Sequence, residues 1–355
     1  MKISAVKVIG ILFLVGFSKL SCAQTVADKY VIGLTKDFNQ YMGHYMNPML
    51  KGIGYGFNNG WYNTARPHKS FGFDLTISAN VAYVPVIDQS FTFVPDDYAV
   101  LDLPPNGDNN FPTIMGGTTT NEVRSYLSKG DSDPILASIF LEGPILDGIK
   151  EDLPINSSVV PSPILQVGVG IFKKTEVKVR WVPTLQNIEG LEYKYFGLGV
   201  MHSISQWIPI VKKIKYLDVS GFIGFTNIDL AYTLEPGTID GANQVANFGV
   251  NTITYELVGS ATFSVFTGFV GIGFDNFKTN LSLDGEYIVK IPGAVDSNGD
   301  QLTETLVNPV ALNANDGGFR ATAGVRLKLA IFTLHGAYTL QQYNTLNVGL
   351  GFSFR

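Results

Sequence analysis

The sequence predicts an all-β membrane barrel of about 10–14 antiparallel strands with an N-terminal helical plug segment. The last strand, 344–355, alternates strictly between apolar residues and small or polar residues, so one of its faces is wholly apolar. Short and long connections tend to alternate along the chain, as in barrels with short periplasmic turns and long outer loops. In 319–332, the cations Arg320, Arg326 and Lys328 share one face, and apolar residues occupy the other.

A soluble sheet is the alternative to a barrel, because it can cover a core with the same alternation. On the lipid side of a barrel a cation costs roughly 2–4 kcal/mol at the bilayer midplane, whereas a watery interior accepts it at little cost. A soluble sheet would also place these cations in solvent. It would not account for an export signal, alternating loop lengths and an apolar C-terminus together.

The composition excludes several other classes of protein. The 355 residues carry a formal net charge of −5 and only 15% charged residues, without a basic stripe that would bind nucleic acid. The 38 glycines, 24 phenylalanines and 16 tyrosines suit strands and turns better than helices. No window after the N-terminus approaches 18 consecutive apolar residues, which argues against a helical inner-membrane protein.

Residues 1–23 form a predicted secretory signal peptide. Lys2 and Lys7 supply its positive charge, and 9–17 is an apolar run that is short for a membrane span. Small residues before Gln24 predict cleavage after Ala23. Lipidation of Cys22 is the alternative, but Lys19 stands where lipoprotein signals prefer an apolar residue.

Residues 24–70 are predicted to form the plug. A helical period runs from Thr25 to Met49, and Pro48 and Gly52 suggest its end. Closely spaced glycines interleaved with aromatic residues follow, which predicts a tightly folded irregular segment. The alternative is a periplasmic helix and linker.

Residues 71–355 are predicted to form the barrel, with a long outer loop at 85–162. Further loops are expected at 232–250 and 292–317, and 204–213 is expected to be a short connector. The predicted strands are 71–84, 164–172, 175–182, 193–202, 216–230, 251–264, 266–280 with a continuation at 283–291, 319–332, 333–343 and 344–355. The last strand is expected to close the barrel against the first.

Two segments resemble known outer-membrane proteins. The C-terminal 347–355 resembles the closing strand of Gram-negative outer-membrane barrels, although Arg355 follows the terminal aromatic residue. The segment 52–69, which continues into Phe73-Asp74-Leu75-Thr76, is similar to a family of uncharacterised outer-membrane proteins from Bacteroidota. In architecture the chain resembles the plugged long-chain fatty acid transporters, whose own plug motif it does not contain.

Two groups of residues are candidates for a functional site. A charged group is predicted to face the lumen, either as a selectivity ring or as mutual salt bridges that fill the barrel. Its members are Glu176, Lys178, Arg180, Arg320, Arg326 and Lys328. An aromatic group could bind a hydrophobic ligand or pack the plug against the wall. Its members are Tyr30, Leu34, Phe38, Tyr41, Tyr45, Tyr55, Phe57 and Trp61.

The remaining motifs favour neither catalysis nor metal binding. His202 lies near Ser203 and Ser205, but no third catalytic partner is evident. The acidic stretch 296–304 resembles a calcium loop, but Gln301 stands where such loops need glycine. We therefore expect no enzymatic activity, no cofactor and no metal.

The sequence thus predicts a Gram-negative outer-membrane barrel that binds or passes a small hydrophobic molecule, with the plug as its gate. The alternative is a closed structural or surface-interaction barrel that presents 85–162 outside. The expected partners are outer-membrane lipid, the barrel-assembly machinery acting on the C-terminal strand, and a hydrophobic small molecule. No nucleic acid is expected.

Overall fold

Ten antiparallel strands close into a barrel in the computed structural model, which describes residues 24–153, 157–188, 190–235, 240–295 and 299–354. This confirms the predicted fold class, at the lower end of the predicted strand count. The predicted signal peptide and Cys22 lie outside the described residues. The barrel strands are β1 Phe73–Tyr83, β2 Val159–Gly170, β3 Thr175–Ile188, β4 Leu191–Ser203, β5 Leu217–Thr233, β6 Gly241–Phe263, β7 Phe266–Val295, β8 Val310–Leu329, β9 Phe332–Leu340 and β10 Thr345–Phe354.

The first and last strands form the closing seam. β1 pairs with β10 in an unbroken register from Phe73 opposite Phe354 to Ala82 opposite Thr345. The rings of Phe73 and Phe354 stack with their centroids 4.9 Å apart. The prediction that the last strand closes the barrel against the first is confirmed.

The outer face of the barrel is apolar between two belts of aromatic residues. The first belt lies at the end with the tight turns 171–174, 264–265 and 330–331, which we call the short-turn end. It contains Phe71, Phe172, Trp207, Phe263, Phe266 and Phe332, all exposed. The second belt contains Trp181, Phe196, Phe225, Tyr255, Phe274 and Phe319. From Phe266 to Phe274 the strand is about 26 Å long, and at a tilt of about 40° it spans about 20 Å along the barrel axis, close to the apolar band of about 25 Å in such barrels.

β6, β7 and β8 extend far into the predicted loops 232–250 and 292–317, so these two predictions are wrong in part. β6 begins at Gly241, β7 continues to Val295, and β8 begins at Val310. A short strand, Gln301–Val307, pairs with the far part of β7. This extension is stable because Leu283, Tyr287 and Val310 bury an apolar cluster against Phe38 of the N-terminal helix. Residues 296–298, which belong to the stretch that only partly resembles a calcium loop, lie outside the described residues.

The N-terminal helix α1 runs from Gln24 to Phe57. It is longer than predicted, because it continues through Pro48 and the glycines that were expected to form an irregular segment. Those glycines let the helix approach the barrel wall. A Cβ on Gly54 would lie 2.3 Å from the Phe277 ring, and one on Gly56 would lie 2.2 Å from the Ser162 hydroxyl. Among the described residues, no helix has both the length and the apolar character needed to cross a membrane.

Helix α1 descends through the barrel from the long-loop end, where 84–158 connects β1 to β2. Near its start, the Tyr30 hydroxyl lies 2.9 Å from that of Ser125 in this connection. Further down, Tyr55 packs on Phe277 with ring centroids 4.9 Å apart. After the helix, Arg66 reaches Asp218 near the short-turn end. The chain thus traverses the barrel interior before β1 begins.

The connection 84–158 falls in the predicted long outer loop 85–162, and its described residues 84–153 and 157–158 fold into a cap. It contains the short strands Ser90–Thr92, Leu101–Asp102, Asn110–Pro112, Glu122–Tyr126 and Phe140–Pro144, and the 3₁₀ turns Val86–Asp88, Pro95–Asp97, Leu136–Ser138 and Lys150–Asp152. Its buried Phe93, Phe111 and Met115 share one apolar core with Tyr41 and Tyr45 of α1. The predicted connector 204–213 contains a second short helix, α2, Pro209–Lys213.

Candidate functional site: the clasp inside the barrel

Residues 56–68, which we call the axial segment, are hydrogen-bonded to seven of the ten strands. The bonds involve side chains on β1, β2, β3, β5, β6, β8 and β9 that point into the barrel. These side chains are Asn80, Gln166, Arg180, Ser220, Glu256, Arg320 and Thr339. Because each strand contributes a different partner, the axial segment ties opposite sides of the wall together. We call the axial segment and these seven side chains the clasp.

Asn59 is the centre of this clasp. Its side-chain oxygen accepts hydrogen bonds from Arg320 and Thr339, both at 2.6 Å. Its backbone carbonyl accepts a bond from Arg180 at 2.7 Å, and Arg180 also donates to the carbonyl of Phe57 at 2.8 Å. Both guanidinium groups are fully buried, so these charge-assisted bonds are shielded from solvent.

The two arginines are stabilised in different ways. Arg320 lies 3.5 Å from each of the buried carboxylates of Glu256 and Asp275. Arg180 instead bonds the side-chain oxygen of Gln166 at 3.0 Å, and its guanidinium lies 3.5 Å from the centre of the Trp61 ring. Arg320 therefore belongs to an ion-pair cluster, whereas Arg180 is held by amide oxygens and a cation–π contact.

Little free space remains beside the clasp. A cavity next to Asn59, Trp61 and Arg320 has a volume of about 10 Å³. That volume holds about one water molecule.

A second charged cluster lies nearer the short-turn end. His68 Nε2 lies 2.9 Å from Asp74, the His68 backbone N–H donates to Glu176 at 3.0 Å, and Lys178 bonds Glu176. Ligand atoms of His68, Asp74 and Glu176 lie within 4.8 Å of one another. Because the Lys178 ammonium already supplies the positive charge here, the donor set fits an ion-pair cluster better than a metal centre.

A family model now gives the chain a place among known proteins. The model of DUF6588, described as a family of unknown function, matches residues 1–354. The chain belongs to this family. This confirms the predicted likeness to a family without an established activity. No curated protein matches the chain.

Solved outer-membrane barrels show only distant likeness to this DUF6588 chain. The NalP autotransporter translocator domain from Neisseria meningitidis has 8% identity and a TM-score of 0.29, over 94% of this chain and 100% of that one. Ail of Yersinia pestis has 11% identity and a TM-score of 0.25, over 51% and 93%. The ferric-catecholate import receptor Fiu of E. coli K12 has 11% identity and a TM-score of 0.28, over 81% and 60%. Scores this low carry no inference about function.

The six charged residues singled out from the sequence lie at several levels of the DUF6588 barrel. Arg180 and Arg320 belong to the clasp, and Glu176 and Lys178 to the second cluster. Arg326 is buried, and its neighbour in the paired strand is His335. Lys328 is half-buried near the short-turn end and bonds Ser353 at 3.1 Å. The six residues therefore do not form one ring.

The aromatic candidates are packed against protein. Tyr30, Leu34, Tyr41 and Tyr45 lie in the core shared by α1 and the cap, with Phe38 at its edge. Tyr55 bonds Gln342 at 2.9 Å. Phe57 packs on Tyr195 with ring centroids 5.5 Å apart.

Of the seven wall side chains in the clasp, only Arg180 and Arg320 were candidates from the sequence. Asn59, Glu256 and Asp275 were not among the candidates. One signal in the sequence could have found the carboxylates. Glu256, for example, is a lone carboxylate on the polar face of a predicted strand, between Thr254 and Val258. Such a carboxylate predicts a buried cation opposite it, because a charge inside a barrel needs a partner. As for His202, its ring nitrogens contact Thr175 and Gln206 in this structure.

Asp37 of α1 fastens the cap. Its buried carboxylate accepts hydrogen bonds from the backbone N–H groups of Ala99, Val100 and Leu101 at 2.7–2.9 Å. Burial and then the charge of Asp37 raise the pKa of nearby Tyr98 to about 12, so the Tyr98 hydroxyl stays neutral.

Replacement of Asp37 by alanine is expected to loosen the cap. The change leaves three backbone donors without their acceptor, two of them buried, and costs roughly 2–4 kcal/mol. We expect proteolysis within 84–158 to be at least about tenfold faster in Asp37→Ala. The neighbouring exposed Lys36→Ala is the control and should be cut at the natural rate. Equal cutting rates for the two variants would show that Asp37 does not hold the cap.

Proposed function

We propose that this protein is an integral outer-membrane barrel of a Gram-negative bacterium, closed along its axis and presenting the cap on the cell surface. The observation that carries the closure is the clasp, since seven strands hold the axial segment and about one water fits beside it. The apolar outer face between two aromatic belts supports the membrane location. Outer-membrane lipid would cover this face, and the assembly machinery would bind the β10 strand.

A second candidate is binding or passage of a small hydrophobic molecule, with residues 24–65 as gate. It is favoured by an apolar cluster inside the long-loop half of the barrel, formed by Phe57, Ile164, Tyr195, Ile228 and Val250. The likeness in architecture to plugged fatty acid transporters, noted from the sequence, is compatible with it. Axial passage would still require the axial segment to leave the clasp.

Conductance in planar bilayers tests the closure. Residues 24–355 should form no steady open channel, whereas deletion of 24–65 should open one, because the wall behind the axial segment is lined by charged side chains. The double variant Asp37→Ala with Lys36→Ala, which leaves the clasp intact, is the control and should stay closed. An open channel in the natural protein would contradict a closed barrel. A deletion variant that inserts but stays closed would contradict the gate.

Membrane location has its own test. The protein should resist sodium carbonate extraction and should migrate faster on gels before heating than after it. A protein that carbonate removes from membranes is not an integral barrel.

A further inference from the structure

The barrel wall has a gap between β2 and β3 in its long-loop half. The two strands pair only from Gly170 opposite Glu176 to Gln166 opposite Arg180. On its other side, β2 pairs with β1 from Val169 to Val159. β3 continues to pair with β4 as far as Ile188. Among the described residues, therefore, both strands extend beyond Gln166 and Arg180 without pairing to each other.

Prolines account for this gap. The backbone N–H of Gly170 donates to Gly72, on the β1 side, whereas that of Ile171 donates to Thr175, on the β3 side. The backbone N–H groups at odd-numbered positions of β2 therefore point towards β3. Pro161 and Pro163 are odd-numbered positions and have no N–H to donate. Had the register continued, Pro183 of β3 would stand opposite Pro163. A continued β2–β3 ladder would therefore lack backbone N–H donors from both strands.

The gap leads to the apolar cluster. Ile164 lies two residues beyond Gln166, the last position of β2 that pairs with β3. It is 2% exposed and belongs to the same cluster as Phe57 and Tyr195. Val182, which follows the last paired position of β3, packs against this cluster. The inside of the wall is therefore apolar at the gap, whereas the clasp below it is charged.

The height of the gap selects the kind of molecule that could use it. It begins at Trp181, which is 57% exposed and lies opposite Phe196 in the second aromatic belt. Aromatic belts mark the level where the apolar layer of a bilayer meets its polar layer. A molecule entering here can keep a polar head at this level and pass an apolar chain inward.

We propose that the gap between β2 and β3 is a side portal at the outer boundary of the membrane, where a single-chain amphiphile, such as a fatty acid, passes its chain to the cluster around Phe57. The portal rests on the proposed membrane location. It does not require the clasp to open, because the cluster lies on the long-loop side of Arg180.

Fluorescence quenching tests the portal in the purified full-length protein. Palmitate brominated on its chain should quench tryptophan fluorescence saturably, and Trp181→Phe should remove most of that quenching. The triple variant Pro161→Val, Pro163→Val, Pro183→Val restores three donors with residues that favour strands, so it should close the gap. We expect it to bind palmitate at least about tenfold more weakly. Pro144→Val in the cap is the control and should bind as the natural protein does.

Three outcomes would overturn the portal. They are an absence of saturable quenching in the natural protein, quenching that persists unchanged in Trp181→Phe, and unchanged affinity in a triple variant that keeps its heat-modifiable mobility. If the triple variant does not fold, Ile164→Trp, which fills the cluster from one strand, should weaken binding to the same degree, and unchanged affinity would count against the portal. A protein that resists carbonate extraction and fails these tests refutes the portal alone.

Discussion

Replacement of Arg320 by methionine is expected to lower the free energy of unfolding by about 3–5 kcal/mol. The guanidinium stands 3.5 Å from the carboxylates of both Glu256 and Asp275, and all three groups are buried. Without it, two negative charges remain inside the barrel without a cation. The axial segment also loses a donor to Asn59. The denaturant midpoint of the folded, fast-migrating form measures the effect.

Two further variants separate charge from packing. Glu256→Gln with Asp275→Asn, added to Arg320→Met, removes the unpaired charges and should restore a large part of the lost stability. Arg124→Met in the cap removes an arginine whose ion pair lies at the surface, and its midpoint should match that of the natural protein. If the triple variant is no more stable than Arg320→Met, buried charge is not the reason for the loss.

An epitope inserted directly before Gln24 is expected to bind antibody on intact cells. Helix α1 starts beside the cap and runs towards the short-turn end, so its N-terminal end lies on the long-loop side. The expected effect is all or none, because the outer membrane excludes antibody.

Two other insertion points define the sides of the membrane. An epitope after Gly130, in an exposed turn of the cap, should be labelled on intact cells. An epitope between Lys173 and Lys174 should be labelled only after permeabilisation. Labelling before Gln24 only in permeabilised cells, together with labelling at Gly130 on intact cells, would contradict the threaded course of α1.

The barrel itself was predictable because its signals are local. Side chains alternate along a barrel strand because its two faces meet two different environments. A segment such as 344–355 therefore shows directly which of its faces points outward. The loops at 232–250 and 292–317 were less predictable. Their polar strands are ordered by contact with Phe38 of α1, far away in the sequence.

The cap and the clasp could not be read from spacing. Asp37 meets 99–101, and Asn59 meets Arg180, Arg320 and Thr339, over separations that only the closed barrel spans. The glycines at 52–56 predict close backbone approach, which the structure shows, but the end of the helix predicted at Gly52 is wrong, because the helix continues to Phe57. These glycines are explained by the tertiary structure, because a Cβ at these positions would collide with Val160, Phe277 or Ser162 of the wall.

From the sequence alone, this chain is predicted to close into an antiparallel barrel with an apolar outer face and a helix before its first strand. Three features become visible only in the folded barrel: the helix is threaded from the long-loop end, Asn59 and two arginines tie the axial segment to the wall, and β2 and β3 separate beside three prolines. This difference follows from the distance in sequence over which each signal acts. Side-chain alternation records the environment of each residue, whereas ion pairs, hydrogen bonds and missing donors act between residues that meet only when the barrel closes.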